Sequence, residues 1–122
     1  MKALFLTNEY PPNIYGGAGV HVEYLARELA KLIEVEVRCF GEQESLGTNP
    51  EVHGFAVDQS AYTCPKPLRP VFGAVQRCLD FNTRAITADV VHCHTWYSHF
   101  GGILAKLNYR RPLVITVHSL EP

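Results

Sequence analysis

No stretch of this 122-residue chain approaches the ~20 consecutive apolar residues that cross a bilayer. Met1 to Asn8 holds one lysine and five apolar residues, too short an apolar segment for a secretory signal. An excess of either charge is missing too. Lys plus Arg is 11 and Asp plus Glu is 12, a net charge of −1, which leaves no basic footprint for nucleic acid or an anionic membrane. Cys39, Cys64, Cys78 and Cys93 lie far apart with no C-x-x-C pair. A disulfide framework is unnecessary at this length, so reduced thiols in a cytoplasmic protein are expected.

Several chemistries drop out in the same way. There is no G-x-S-x-G elbow for a hydrolase triad and no G-K-[ST] to complete a Walker loop. Asp58, Asp80 and Asp89 form no D-x-D pair for a metal-bound nucleotide sugar. His92, Cys93 and His94 cluster, but neither C-x-x-C nor H-E-x-x-H spacing accompanies them, so neither a metal nor a cofactor is expected.

What the chain does have is an ordinary globular composition, 47% hydrophobic and 19% charged, in a length suited to one domain over residues 1–122. Periodicity alternates between strand and helix. Strands are predicted near 3–7, 34–40, 52–57, 90–94 and 113–117, and helices near 20–32, 70–86 and 97–107. Val35, Val37 and Cys39 alternate with Glu34, Glu36 and Arg38, so the second strand should carry one polar face. Residues 41–50 read as loop. Val71, Val75, Cys78, Leu79, Asn82 and Ile86 should form the inner face of the second helix, and Phe100, Ile103, Leu104 and Leu107 that of the third.

Alternating apolar strands and helices imply a Rossmann-like three-layer α/β sandwich around a parallel five-stranded sheet, strand order 3-2-1-4-5. Ligands of such sheets bind at the carboxyl ends of the strands beside the switch in order. Three segments fall there. Gly16-Gly17-Ala18-Gly19 precedes the first helix and reads either as a phosphate cradle or as a plain glycine-rich helix entry. It departs from the dinucleotide fingerprint: Val22 stands where the third glycine belongs, and eight residues separate Thr7 from Gly16. His92, inside the fourth strand, reads as a hydrogen-bonded core histidine. His94 ends that strand and is favoured as functional, an edge residue contributing little to the core. Trp96 is either a helix-start core residue or part of the site, and His118 ends the fifth strand.

These residues carry a resemblance. Lys2-Ala3-Leu4-Phe5-Leu6-Thr7-Asn8-Glu9-Tyr10-Pro11-Pro12 with Gly16-Gly17-Ala18-Gly19-Val20-His21, then Asp89-Val90-Val91-His92-Cys93-His94-Thr95-Trp96, then Val114-Ile115-Thr116-Val117-His118-Ser119-Leu120, together resemble the N-terminal part of bacterial glycogen synthases and related retaining glycosyltransferases of GT-B fold. The resemblance implies a glucosyltransferase moving glucose from ADP-glucose to an α-1,4-glucan. Gly16 and Gly17 would approach the donor diphosphate, His94 would contact the transferred sugar, and Trp96 and His118 would bind substrate. Ile14 stands where classical bacterial synthases have lysine, and Thr95 where they have aspartate. Such enzymes work with a second, C-terminal domain that 122 residues cannot include, so this chain alone is expected to be inactive. A same-fold enzyme using UDP- or GDP-sugars and a non-catalytic module for phosphorylated ligands are the alternatives.

Overall fold

A computed structural model describes residues 1–119, leaving Leu120, the last residue of the third motif, outside the described residues. The elements run β1 (Lys2–Thr7), α1 (Gly17–Leu29), β2 (Glu34–Phe40), β3 (Glu44–Ser45), β4 (Glu51–Phe55), α2 (Arg69–Phe81), β5 (Val90–His94), α3 (Trp96–Tyr109) and β6 (Leu113–Thr116). They form one mixed sheet in the order β3-β4-β2-β1-β5-β6. The five parallel strands keep the relative order expected from right-handed crossovers, with β1 between β2 and β5. Alternation along β1 feeds two cores. Ala3 and Phe5 pack with Val22, Ala26 and Val37, whereas Leu4 and Leu6 pack with Phe81, Val91 and Ala105. So α1 covers one face while α2 and α3 cover the other. No helix among the described residues is long and apolar enough to cross a membrane.

Three expectations need correction. The stretch 41–50 is not all loop: Glu44 and Ser45 pair antiparallel with His53 and Val52, adding a sixth strand. Gly41 turns the chain with φ of +95°, and the Gly54 amide donates to the Gln43 carbonyl at 2.7 Å. A Cβ on Gly54 would lie 2.1 Å from the Gly41 carbonyl oxygen, so the pairing depends on glycine there. Two residues carry no periodicity, which hid this strand from the sequence.

The polar face of β2 is buried rather than solvated. Glu36 and Arg38 are both almost fully buried and pair at 2.7 Å, and Lys2 joins Glu36 at 3.2 Å. The Arg38 guanidinium also donates to the carbonyls of Phe81, Arg84 and Ala85. It thereby satisfies orphan acceptors at and beyond the end of α2. This is where α2 stops, short of Ile86, which packs into the core from the following loop.

Of the inner face expected for α2, Cys78 and, beyond the helix end, Ile86 are buried. Apart from Phe81, the residues that α2 and α3 bury are small rather than the large ones expected. Gly73, Ala74, Cys78 and Phe81 are buried on α2, while Val71, Val75 and Leu79 are exposed. On α3 the buried set is Ser98, Gly101, Gly102 and Ala105, with Phe100, Ile103 and Leu107 exposed. The reason is close approach: a Cβ on Gly102 would sit 2.1 Å from Cys93 Sγ and 2.7 Å from Leu113 Cδ1. Cys39, Cys78 and Cys93 are buried free thiols, and burial pushes them up to about 12, 11 and 12 respectively.

Candidate functional site

The carboxyl ends of β1, β5 and β6 converge on a cavity of about 570 Å³. Gly16, Gly17 and Ala18 form one wall. Thr95, Trp96, Tyr97 and His99, from the start of α3, form another, and Val117, His118 and Ser119 close it beyond β6; Asn8 and Glu9 complete the lining. Gly16, Gly17, Trp96 and His118 are therefore brought together. Trp96 is mostly exposed, stacks on Tyr97 at 4.1 Å between ring centroids, and is no core residue.

The glycine loop is held by a residue that composition alone does not single out. Glu9, buried at the end of β1, accepts the Tyr15 amide on one carboxylate oxygen and the Gly19 amide on the other, each at 3.0 Å. The N-terminus of α1 thus already holds one internal anion, which suits the positive end of the helix dipole. Gly19 is packed against that carboxylate, since a Cβ there would come within 2.9 Å of Glu9 Cβ. Gly16 and Gly17 differ: a Cβ on either would meet nothing within 4 Å, and Gly16 is extended, with φ −165° and ψ −171°. Packing does not demand glycine at these two positions. Their bare backbone faces the cavity, where N–H groups stay approachable by an acceptor.

Thr95 joins β5 to α3 at φ 69° and ψ 154°. A β-branched residue at positive φ costs about 1–3 kcal/mol. Local hydrogen bonds hold it there, with Thr95 Oγ1 donating to Asn8 Oδ1 at 2.8 Å and the Ser98 hydroxyl within reach of the carbonyls of Leu6 and His94. The strained joint aims Trp96 and His99 into the cavity rather than continuing the strand.

Histidines gather behind this wall. His94 is fully buried and does not itself line the cavity, so the expectation of an edge residue with little packing is corrected. Its Nδ1 lies 3.1 Å from His118 Nε2, and its Nε2 is buried without a partner among the described residues. The rings of His92 and His21 stand 4.0 Å and 6.0 Å from it, and His21 also meets His118 edge-on at 5.3 Å. His92 behaves as a strand histidine, its Nε2 2.7 Å from Thr116 Oγ1.

Burial pushes His94 down to about 3, helped by the neighbouring histidines. His92 and His118 are lowered for the same two reasons, burial first. All three rings are then neutral near pH 7, able to give one hydrogen bond and accept another. No group of three or more His, Cys, Asp or Glu side chains is arranged to hold a metal among the described residues.

Residues 15–122 match the family model described as glycosyltransferase family 4. The chain belongs to that family. Its whole length is 42% identical to an alpha-maltose-1-phosphate synthase of Mycolicibacterium smegmatis and 38% identical to one of Mycobacterium tuberculosis. A glycogen synthase of Mycobacterium tuberculosis is 27% identical over 99% of this chain. The chain spans 29%, 29% and 34% of the lengths of these relatives. Family membership agrees with the Rossmann-like architecture and with the glycosyltransferase class that the three motifs implied.

Of the cavity residues, Asn8, Glu9 and Tyr97 had no role in the sequence reading. Asn8 and Glu9 follow β1 directly, so the rule that ligands meet the carboxyl ends of strands could have found them. Nothing in the sequence signals that the Glu9 carboxylate would turn inward onto Gly19.

Proposed function

We propose that the whole protein is a retaining glucosyltransferase that moves glucose from a nucleotide sugar, ADP-glucose in the first instance, to an acceptor hydroxyl. The observation carrying this proposal is the convergence of Gly16 and Gly17 with His118 in one cavity of a family 4 chain. The bond between the sugar's anomeric carbon and the diphosphate breaks, with the electron pair leaving on the diphosphate. An acceptor oxygen bonds to that carbon from the same face, and its proton passes to the departing diphosphate. Backbone N–H groups of the glycine loop stabilise the charge that grows there. Among the described residues no lysine or arginine lines the cavity, so the remaining compensation falls to the second domain that the GT-B resemblance implies.

His118 faces the cavity and is the histidine that contacts substrate in this proposal. His94 acts through it as a positioning residue: the 3.1 Å contact fixes which His118 nitrogen carries its proton, leaving the other to meet a sugar hydroxyl. Trp96 offers an apolar face for a sugar ring.

Two acceptors compete. The glycogen synthase resemblance favours an α-1,4-glucan. The 42% identity to an alpha-maltose-1-phosphate synthase, against 27% to a glycogen synthase, favours glucose 1-phosphate, since joining glucose to it gives a maltose carrying that phosphate. Incubating the whole protein with ADP-, UDP- or GDP-glucose and either acceptor, with products resolved by chromatography, decides among them. No transfer with any pair would leave the non-catalytic binding module as the surviving alternative. The 122-residue chain alone is expected to give no turnover, and turnover by it would require a complete site within these residues.

A further inference from the structure

A second cavity, of about 340 Å³, opens beside the first and shares Asn8 and Tyr97 with it. Tyr15 lines this second space while Gly16 and Gly17 line the first, so the glycine loop is the partition between them. The far wall is α2, which contributes Pro70 and, as its one charged residue there, Arg77.

Arg77 is half-buried and held rigidly. Its Nε donates to the Gly73 carbonyl at 3.1 Å, and its guanidinium carbon lies 3.9 Å from the centre of the Phe40 ring. Phe40 is itself fixed by Phe81 and Tyr97. Arg38 shows what a structural arginine looks like in this fold, since it pairs with Glu36 and caps three carbonyls. Arg84 likewise pairs with Glu44. Arg77 takes part in no ion pair among the described residues. A guanidinium stacked on an aromatic, partly withdrawn from water and left without a carboxylate, presents a planar donor fork matched to phosphate oxygens.

We propose that Arg77 and this second cavity form the subsite for the phosphate of a sugar-phosphate acceptor. The proposal rests on the glycosyl-transfer reading above and deepens it. The phosphate ester sits against the outer nitrogens of Arg77, and the amides of Asn13 and Gln59, which also line the cavity, meet sugar hydroxyls. Gln59 reaches this place because α2 has glycine beside it: a Cβ on Gly73 would lie 2.8 Å from Gln59 Nε2. The acceptor then approaches from one side of the glycine loop and the donor diphosphate from the other. A neutral glucan end would leave the guanidinium unmatched, so the subsite favours the sugar-phosphate acceptor over the glucan.

Nuclear magnetic resonance titration of the 122-residue chain tests this. Glucose 1-phosphate should shift the Arg77 Nε–Hε signal and the Gly41 and Asn13 amides saturably, and glucose should not. Inorganic phosphate should shift the Arg77 signal more weakly than the ester. Arg77→Gln should weaken glucose 1-phosphate about ten-fold or more, the range for losing a charge-assisted hydrogen bond. Arg77→Lys should fall between, because it keeps the charge and loses the fork. ADP-glucose should shift Gly16 to Ala18 equally in wild type and Arg77→Gln. If only that last arm fails, the donor assignment falls and the phosphate subsite stands. Unchanged glucose 1-phosphate affinity in Arg77→Gln, shifts confined to Gly16–Ala18, or no saturable shift of the Arg77 signal overturns the subsite. The wild-type Arg77 signal decides alone if the glutamine variant does not fold.

Discussion

Replacing His94 by glutamine and changing pH isolates the energetic consequence of burying a neutral histidine in this site. In the unfolded chain the imidazole titrates near 6.5; in the folded protein burial and neighbouring histidines push it down to about 3. Because the folded value is lower, the unfolded state binds the proton first, and acid favours unfolding. The contribution is fully present above the unfolded value and is lost as pH falls from 6.5 towards 3. Between about pH 7.5 and about pH 5.5 the loss works out at about 1.4 kcal/mol for this one group. Urea denaturation of wild type and His94→Gln at both pH values gives the comparison. The pH-independent cost of the substitution cancels within each protein. The charges that lower His92 and His118 come from His21, His99 and His118, not His94, so their contributions remain in both proteins. The wild type should lose about 1.4 kcal/mol more than the variant. Equal losses in the two would refute the neutral buried state of His94 and the positioning role built on it.

Arg38→Met should destabilise the chain by up to about 3–5 kcal/mol, since it takes the closest cation from the buried Glu36 carboxylate, leaving only the partly exposed Lys2 pair, and uncaps the end of α2; adding Glu36→Leu should recover much of that loss in the same denaturation assay. Burial pushes Glu36 up, but Arg38 and then Lys2 outweigh it and hold the carboxyl below its ordinary 4.5. Its contribution is therefore present above pH 4.5 and lost as pH falls further, an acid step that Glu36→Gln should remove from the stability profile. Gly102→Ala should cost about 1–3 kcal/mol by overpacking against Cys93 and Leu113, whereas Gly17→Ala should stay within about 0.5 kcal/mol while weakening ADP-glucose binding measured by titration. Of the four thiols, partly exposed Cys64 should react first with a thiol reagent near neutral pH, with Cys39, Cys78 and Cys93 reacting only on unfolding, as stopped denaturant-pulse labelling can read.

Local pattern alone determined much of this protein. The period of β1 and β2, the glycines and prolines between elements, and the crossover rule together placed β1 at the centre and brought the glycine loop, His94 and His118 to one edge, because side-chain period and connection handedness are properties of the chain itself. Three things were decided only by tertiary contact. Apart from Phe81, small residues face the sheet on α2 and α3, because the distance between helix and strand is set by what lies opposite, as Cys93 does to Gly102. The charged face of β2 is interior because the end of α2 lies over it and its carbonyls meet Arg38. His94 is buried and Arg77 has no carboxylate partner among the described residues for the same kind of reason: a side chain's surroundings come from elements far away in sequence, and periodicity records only which way a residue points, not what waits there.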